Sequence, residues 1–217
     1  MVVTDIKHLI RDPSAIYAKR VLRLRKLGPL VQTPDALSRG TVVHAVMEAF
    51  IRRTLDQPHD VTIDALEEEA KRVLEQTVPW PAARALWLAR LRRVAPWFVA
   101  NETLRRQTAT PVALEDDAKG KLLLDDLGVT IEGRADRIDE RSDGVVRLYD
   151  YKTGAVPTPK QQRTFDKQLL IEAAMIEEGG FKELGPRSVQ EAIFIGLGSG
   201  FKEQPLSLIH ISEPTRQ

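Results

Sequence analysis

A chain of 217 residues with 42% hydrophobic side chains can enclose one sizeable core. Its 32 Lys/Arg against 31 Asp/Glu leave a formal charge of +1, which excludes a uniformly basic tail or an acidic disordered chain but not local contact with nucleic acid. Cysteine is absent, so disulfides, thiol nucleophiles, cysteine zinc sites and cysteine-held iron–sulfur clusters are excluded together.

In chain order, residues 1–27 are basic, with Lys7, Arg11, Lys19, Arg20, Arg23, Arg25 and Lys26 against Asp5 and Asp12. Thr4 reads as the cap of a first short helix, and Asp12-Pro13 as N-cap and first residue of a second. After the Gly28-Pro29 break, Ser38 is expected to open a helix whose Val43, Val46, Met47, Phe50, Ile51 and Leu55 recur at helical spacing. Residues 63–76 form an acidic amphipathic helix. Pro81 starts a longer helical region with a core stripe of Trp87, Leu91, Val94 and Phe98, flanked by Arg84, Arg90, Arg92 and Arg93. Pro96 should kink or restart it.

From Thr110 the pattern changes to strands at residues 111–114, 129–138 and 145–151, the last two joined by a turn at Ser142-Asp143-Gly144. Helical spacing returns over residues 164–178, ends at Gly179-Gly180, and precedes a strand at 191–195. The expectation is one α/β (α+β) domain over residues 1–204, mainly helical to 109 and β-β-β-α-β over 110–204. Residues 205–217 form an unassigned tail. No apolar run approaches the roughly 20 residues of a membrane span, and the charged start lacks the apolar segment of a signal peptide. A soluble cytoplasmic protein is expected.

Residues 131–154, IEGRADRIDERSDGVVRLYDYKTG, carry the densest chemistry. Alternation along a strand puts Leu148, Asp150 and Lys152 on one face and Tyr149 and Tyr151 on the other. An acid and a lysine at a strand end suit a divalent cation beside a positive group, and Asp136 on the preceding strand can bring a second carboxylate. Oxygen-rich open sites of this kind accept Mg²⁺ or Mn²⁺. The same pair could equally be a surface salt bridge. His44, one turn inside its helix and after Gly40, is either a structural histidine or a further ligand. Gly40 would let that helix approach another backbone closely.

GTVVH (40–44), GRADRID (133–139), YDYKTG (149–154) and QLLIEAA (168–174), in that order, resemble the motifs of the PD-(D/E)XK nuclease superfamily, closest to its RecB-like branch. The segment TDIKHLIRDPSAIYAKRVLRLRKLGPL (4–30) resembles the one preceding the nuclease motifs of AddB-type double-strand-break repair subunits. The resemblance implies a restriction-endonuclease-like core with a central mixed sheet flanked by helices. It also implies metal-binding carboxylates at Asp136 and Asp150, a further ligand at His44 and an inner-shell carbonyl at Tyr151. Lys152 would be the catalytic lysine, and Gln168 would help order the site. Two departures are present: Glu172 stands where many relatives have tyrosine, and the four cysteines of some relatives' iron–sulfur cluster are missing.

The implied activity is Mg²⁺- or Mn²⁺-dependent deoxyribonuclease action, of exonuclease type, in double-strand-break repair and recombination. The implied partners are single-stranded DNA ends and a helicase–nuclease subunit of AddA type, with no membrane. A catalytically inactive module that grips DNA or docks a helicase is the alternative, although that reading predicts missing ligands. No GxxxxGK[ST] phosphate loop occurs in these residues, so ATP-driven unwinding would come from elsewhere. Arg23 with Arg25, and Arg92 with Arg93, are candidate DNA contacts; the alternative is a solvated face paired with the acidic 63–76 helix.

Overall fold

The computed structural model describes residues 1–25, 27, 33–198 and 200–206, so Lys26 and nearly all of the 205–217 tail lie outside it. Five helices come first: α1 (Val3–Arg11), α2 (Pro13–Arg20), α3 (Ala36–Arg53), α4 (Ile63–Thr77) and α5 (Pro81–Arg106). Asp12 caps α2 as expected, accepting from the Ala15 N–H at 3.3 Å. Helix α3 opens earlier than Ser38: the Asp35 carboxylate accepts the Ser38 N–H at 2.7 Å, and an acidic cap is favoured by the helix dipole. Helix α5 passes through Pro96 without restarting. Val94, Ala95 and Phe98 around it are buried, so packing outweighs the hydrogen bond that proline removes.

The second half contains β1 (Thr110–Leu114), β2 (Lys119–Leu124), β3 (Val129–Arg134), β4 (Arg137–Glu140), β5 (Val146–Lys152), α6 (Pro159–Thr164), α7 (Gln168–Glu177), β6 (Val189–Gly196) and β7 (Lys202–Leu206). The expected β-β-β-α-β is thus enlarged. The single strand expected over 129–138 is two, because the chain leaves the β2–β3 hairpin at Ala135-Asp136 to enter the main sheet. The helix expected over 164–178 breaks between α6 and α7. Strand β7 takes in Pro205 and Leu206, so paired backbone crosses the 204/205 boundary drawn for the tail. Thr4 is not a cap: α1 starts at Val3 without a side-chain cap, while Val2 bridges to Glu132 of β3.

The main sheet has the order β1-β4-β5-β6-β7, parallel only between β5 and β6. This is the mixed central sheet expected for a restriction-endonuclease-like fold. Tyr149 and Tyr151 pack on one face with α3, α4 and α5, while Leu148 packs on the other with α7 and the β2–β3 hairpin. The hairpin lies tightly on that second layer. A Cβ at Gly133 would stand 3.1 Å from Val3, and one at the paired Gly120 would stand 2.9 Å from Phe181.

One charged cluster is sealed inside the core. Arg137 is fully buried, bidentate to Asp139 at 2.6 Å and bonded to Glu102 of α5 at 2.6 Å. Glu102 also receives Arg105 at 3.0 Å and Arg106 at 2.6 Å. Burial pushes the Glu102 pKa up, but the charges of Arg137 and Arg105 prevail and hold it down at about 2. Removing one member leaves uncompensated buried charge. Glu102→Gln is expected to destabilise the protein by about 3–5 kcal/mol, read from urea unfolding; a loss below about 1 kcal/mol would contradict this account of the cluster.

Candidate active site

The C-terminal end of β5 and the adjoining end of β4 face a cleft of about 1300 Å³, walled by the first half of α3, the β2–β3 hairpin and the start of α7. Register explains the convergence. Leu114 of β1 pairs with Arg137, and Arg137 with Tyr149, so the next residues, Glu115, Asp136 and Asp150, bring three carboxylates to one sheet end. Asp136 Oδ2 accepts the Tyr151 N–H at 2.7 Å. The His44 imidazole reaches across from α3: Nε2 lies 2.8 Å from the Tyr151 carbonyl oxygen, and Nδ1 lies 3.2 Å from Glu115 and 3.3 Å from Asp136.

Asp150 is buried on the opposite side of the strand from the two tyrosines. Its Oδ2 pairs with Lys152 Nζ at 2.6 Å, and its Oδ1 accepts from Gln168 Nε2 at 3.1 Å. Gln168 also donates to Glu172 at 3.3 Å. The Asp150–Lys152 pair is therefore an ion pair, but a buried one facing a cleft. The structure brings His44, Asp136, Asp150, Tyr151, Lys152 and Gln168 to the walls of this one cleft. At Gly40 a Cβ would meet Thr153 Oγ1 at 3.6 Å, an ordinary contact, so close backbone approach is not required there.

The basic candidates are distributed differently. Arg92 Nε pairs with Glu67 of α4 at 3.0 Å, the acidic-helix pairing named as the alternative, and Arg93 lies over the Phe201 ring. Arg23 and Arg25 are exposed. Lys19 and Arg20, from the same basic stretch, are held by the buried Asp5 carboxylate.

One site residue escapes a reading of the sequence. Glu115 opens the acidic run Glu115-Asp116-Asp117, and its carboxylate is buried on His44. Glu172 occupies an apolar helical face, and only its place four residues after Gln168 signalled a role.

His44, Glu115 and Asp136 each offer a ligand atom within 4.8 Å of the others, a group able to hold a metal ion. With the Tyr151 carbonyl and Asp150 beside them, the donors are oxygen-rich with one imidazole, the chemistry of a hard divalent cation. Without a cation the carboxylates repel one another. Burial and the Asp136 charge raise Asp150 to about 7 despite Lys152. Burial opposes a charge on His44, but hydrogen bonds to Asp136 and Glu115 raise it to about 10.

Two aspartates and a lysine at the ends of adjoining strands, with a histidine from a flanking helix, thus gather donors suited to a divalent cation at one edge of a mixed α/β fold. The sequence profile of the PD-(D/E)XK nuclease superfamily matches residues 3–214. The chain belongs to that superfamily, whose members are metal-dependent nucleases, and membership points to nuclease activity. Uncharacterised proteins of Rickettsia are similar. One from Rickettsia felis is 30% identical over 98% of this chain and 25% of its own length, and one from Rickettsia bellii is 32% identical over 82% and 22%. The chain thus spans about a quarter of the curated relatives it matches. Among the described residues no helix is long and apolar enough to cross a membrane.

Both raised groups bind protons more tightly folded than unfolded, so stability should fall as pH rises. Asp150 contributes between its ordinary 3.8 and about 7, and His44 between 6.5 and about 10. The melting temperature of chelator-treated protein is expected to decline from pH 5 to 9, and His44→Ala should flatten the upper part of that decline. A melting temperature that rises over this range would contradict the site's electrostatics.

Proposed function

We propose that the chain is the nuclease domain of an AddB-type helicase–nuclease subunit, a Mg²⁺- or Mn²⁺-dependent deoxyribonuclease that trims DNA ends during double-strand-break repair and recombination. The observation that carries this reading is the meeting of His44, Asp136, Asp150 and Lys152 at one sheet end, in the motif order of the RecB-like branch. The relatives' greater length accords with a nuclease unit inside a larger protein. An AddA-type partner and single-stranded DNA ends complete the proposal.

Asp136, Asp150, His44 and the Tyr151 carbonyl would hold the cation, which when bound lowers the pKa of a water and neutralises charge on phosphate. The chain's own residues do the rest. Asp136 is oriented by the Tyr151 N–H, and Asp150 by Gln168 and Lys152. Lys152 Nζ, at the cleft wall, is placed to meet the negative charge that grows on the phosphodiester oxygens. Gln168 keeps one Asp150 oxygen engaged, which limits rotation of that carboxylate.

The test is cleavage of labelled single- and double-stranded DNA with Mg²⁺, Mn²⁺ or EDTA. Cleavage should require the cation. Asp150→Ala should abolish it with an unchanged circular dichroism spectrum, and Lys152→Ala should slow it by about 100-fold while Mn²⁺ uptake persists. Cleavage by Asp150→Ala at the wild-type rate would overturn the assignment.

A further inference from the structure

Glu115 is the one described residue of the cleft, other than glycine, whose backbone is left-handed, with φ of 42°. A glutamate gains nothing locally from that conformation, since its Cβ crowds the backbone where glycine carries none. The conformation ends β1 and turns the carboxylate back over the sheet end, where it is buried. Both of its oxygens are taken by nitrogens. Oε1 lies 3.2 Å from His44 Nδ1, and Oε2 lies 3.1 Å from Arg134 Nε. The other ring nitrogen, His44 Nε2, is the one directed at the Tyr151 carbonyl.

Asp136 differs. One of its oxygens takes the neutral Tyr151 N–H and the other lies 3.3 Å from the imidazole, about as near as Glu115, whose second oxygen is instead held by the Arg134 guanidinium. The three-residue group therefore divides into unlike members. A histidine that binds a metal through one nitrogen usually gives the proton on the other to a carboxylate, which fixes the ring's tautomer and orientation.

We infer that Glu115 is not a ligand but the positioning residue of the cation site, holding the His44 ring through Nδ1 so that Nε2 faces the Tyr151 carbonyl. Arg134 steadies it from the hairpin side. The strained turn persists because the contact with His44 needs a side chain at that backbone position. This inference rests on the proposed cation site and names a part of it.

The experiment is Mn²⁺ uptake by the full chain without DNA, followed by electron paramagnetic resonance, for wild type, Glu115→Gly and Glu115→Gln, with melting temperatures of the metal-free proteins. Glycine relieves the left-handed backbone and deletes the contact, so Glu115→Gly should still melt cooperatively, with an unchanged circular dichroism spectrum, yet bind Mn²⁺ at least tenfold more weakly. Glutamine keeps an oxygen for the Nδ1 proton, so Glu115→Gln should recover affinity to within about threefold of wild type. Affinity of Glu115→Gly within twofold of wild type would overturn the positioning role. Glu115→Gln as weak as Glu115→Gly would overturn it in favour of direct ligation. Loss of the cooperative melting transition in Glu115→Gly would overturn the positioning role and leave Glu115 as a structural ion-pair residue. Failure of wild type to take up Mn²⁺ would remove the cation site itself, a result distinct from the other three.

Discussion

A guanidinium placed at the centre of a protein can stay only if carboxylates surround it, and Arg137 draws those carboxylates from both halves of this chain. Glu102 comes from the long helix α5 and Asp139 from the same strand as the arginine. The helical first half and the sheet are therefore joined by charge as well as by apolar packing. A register slip of β4 would turn Arg137 to the opposite face and strand Glu102 among Arg105 and Arg106. Since Asp136 precedes Arg137 directly, whatever fixes the arginine also fixes the aspartate at the sheet end.

The same economy governs the site. One peptide unit per side of Tyr151 links three elements: its N–H holds Asp136 and its carbonyl meets His44. The aromatic ring of Tyr151 packs beneath, against Phe98 of α5. Strand alternation then puts Asp150 and Lys152 on the α7 side, where Gln168 waits. Carboxylates gathered this closely oppose folding of the metal-free chain, a cost expected where structure serves binding instead of stability.

Much of this was legible because it follows from period and spacing. The division of β5 into a tyrosine face and an Asp150–Lys152 face is a property of any strand, and the fold confirms it. The Asp12-Pro13 helix start and the glycine-bearing turn at Gly144 are local chemistry. What was hidden depends on long-range contact. The break at Ala135-Asp136 lies in a run of continuous strand character, and only the departure of the chain from one sheet to another reveals it. Strand β7, KEQPL, has no apolar alternation because it is recruited through backbone pairing with β6. Pro96 looked like an interruption, but its buried neighbours carry α5 through. Glu115 was not legible, because neither its backbone conformation nor His44, 71 residues away, is visible from its neighbours.

The central claim is that these residues form one cation site at the end of β5. Anomalous diffraction from a crystal soaked in Mn²⁺ tests it directly. The account predicts a manganese peak in contact with Asp136, Asp150, the His44 imidazole and the Tyr151 carbonyl. A crystal that takes up manganese elsewhere, or at Glu115 without Asp150, would contradict it.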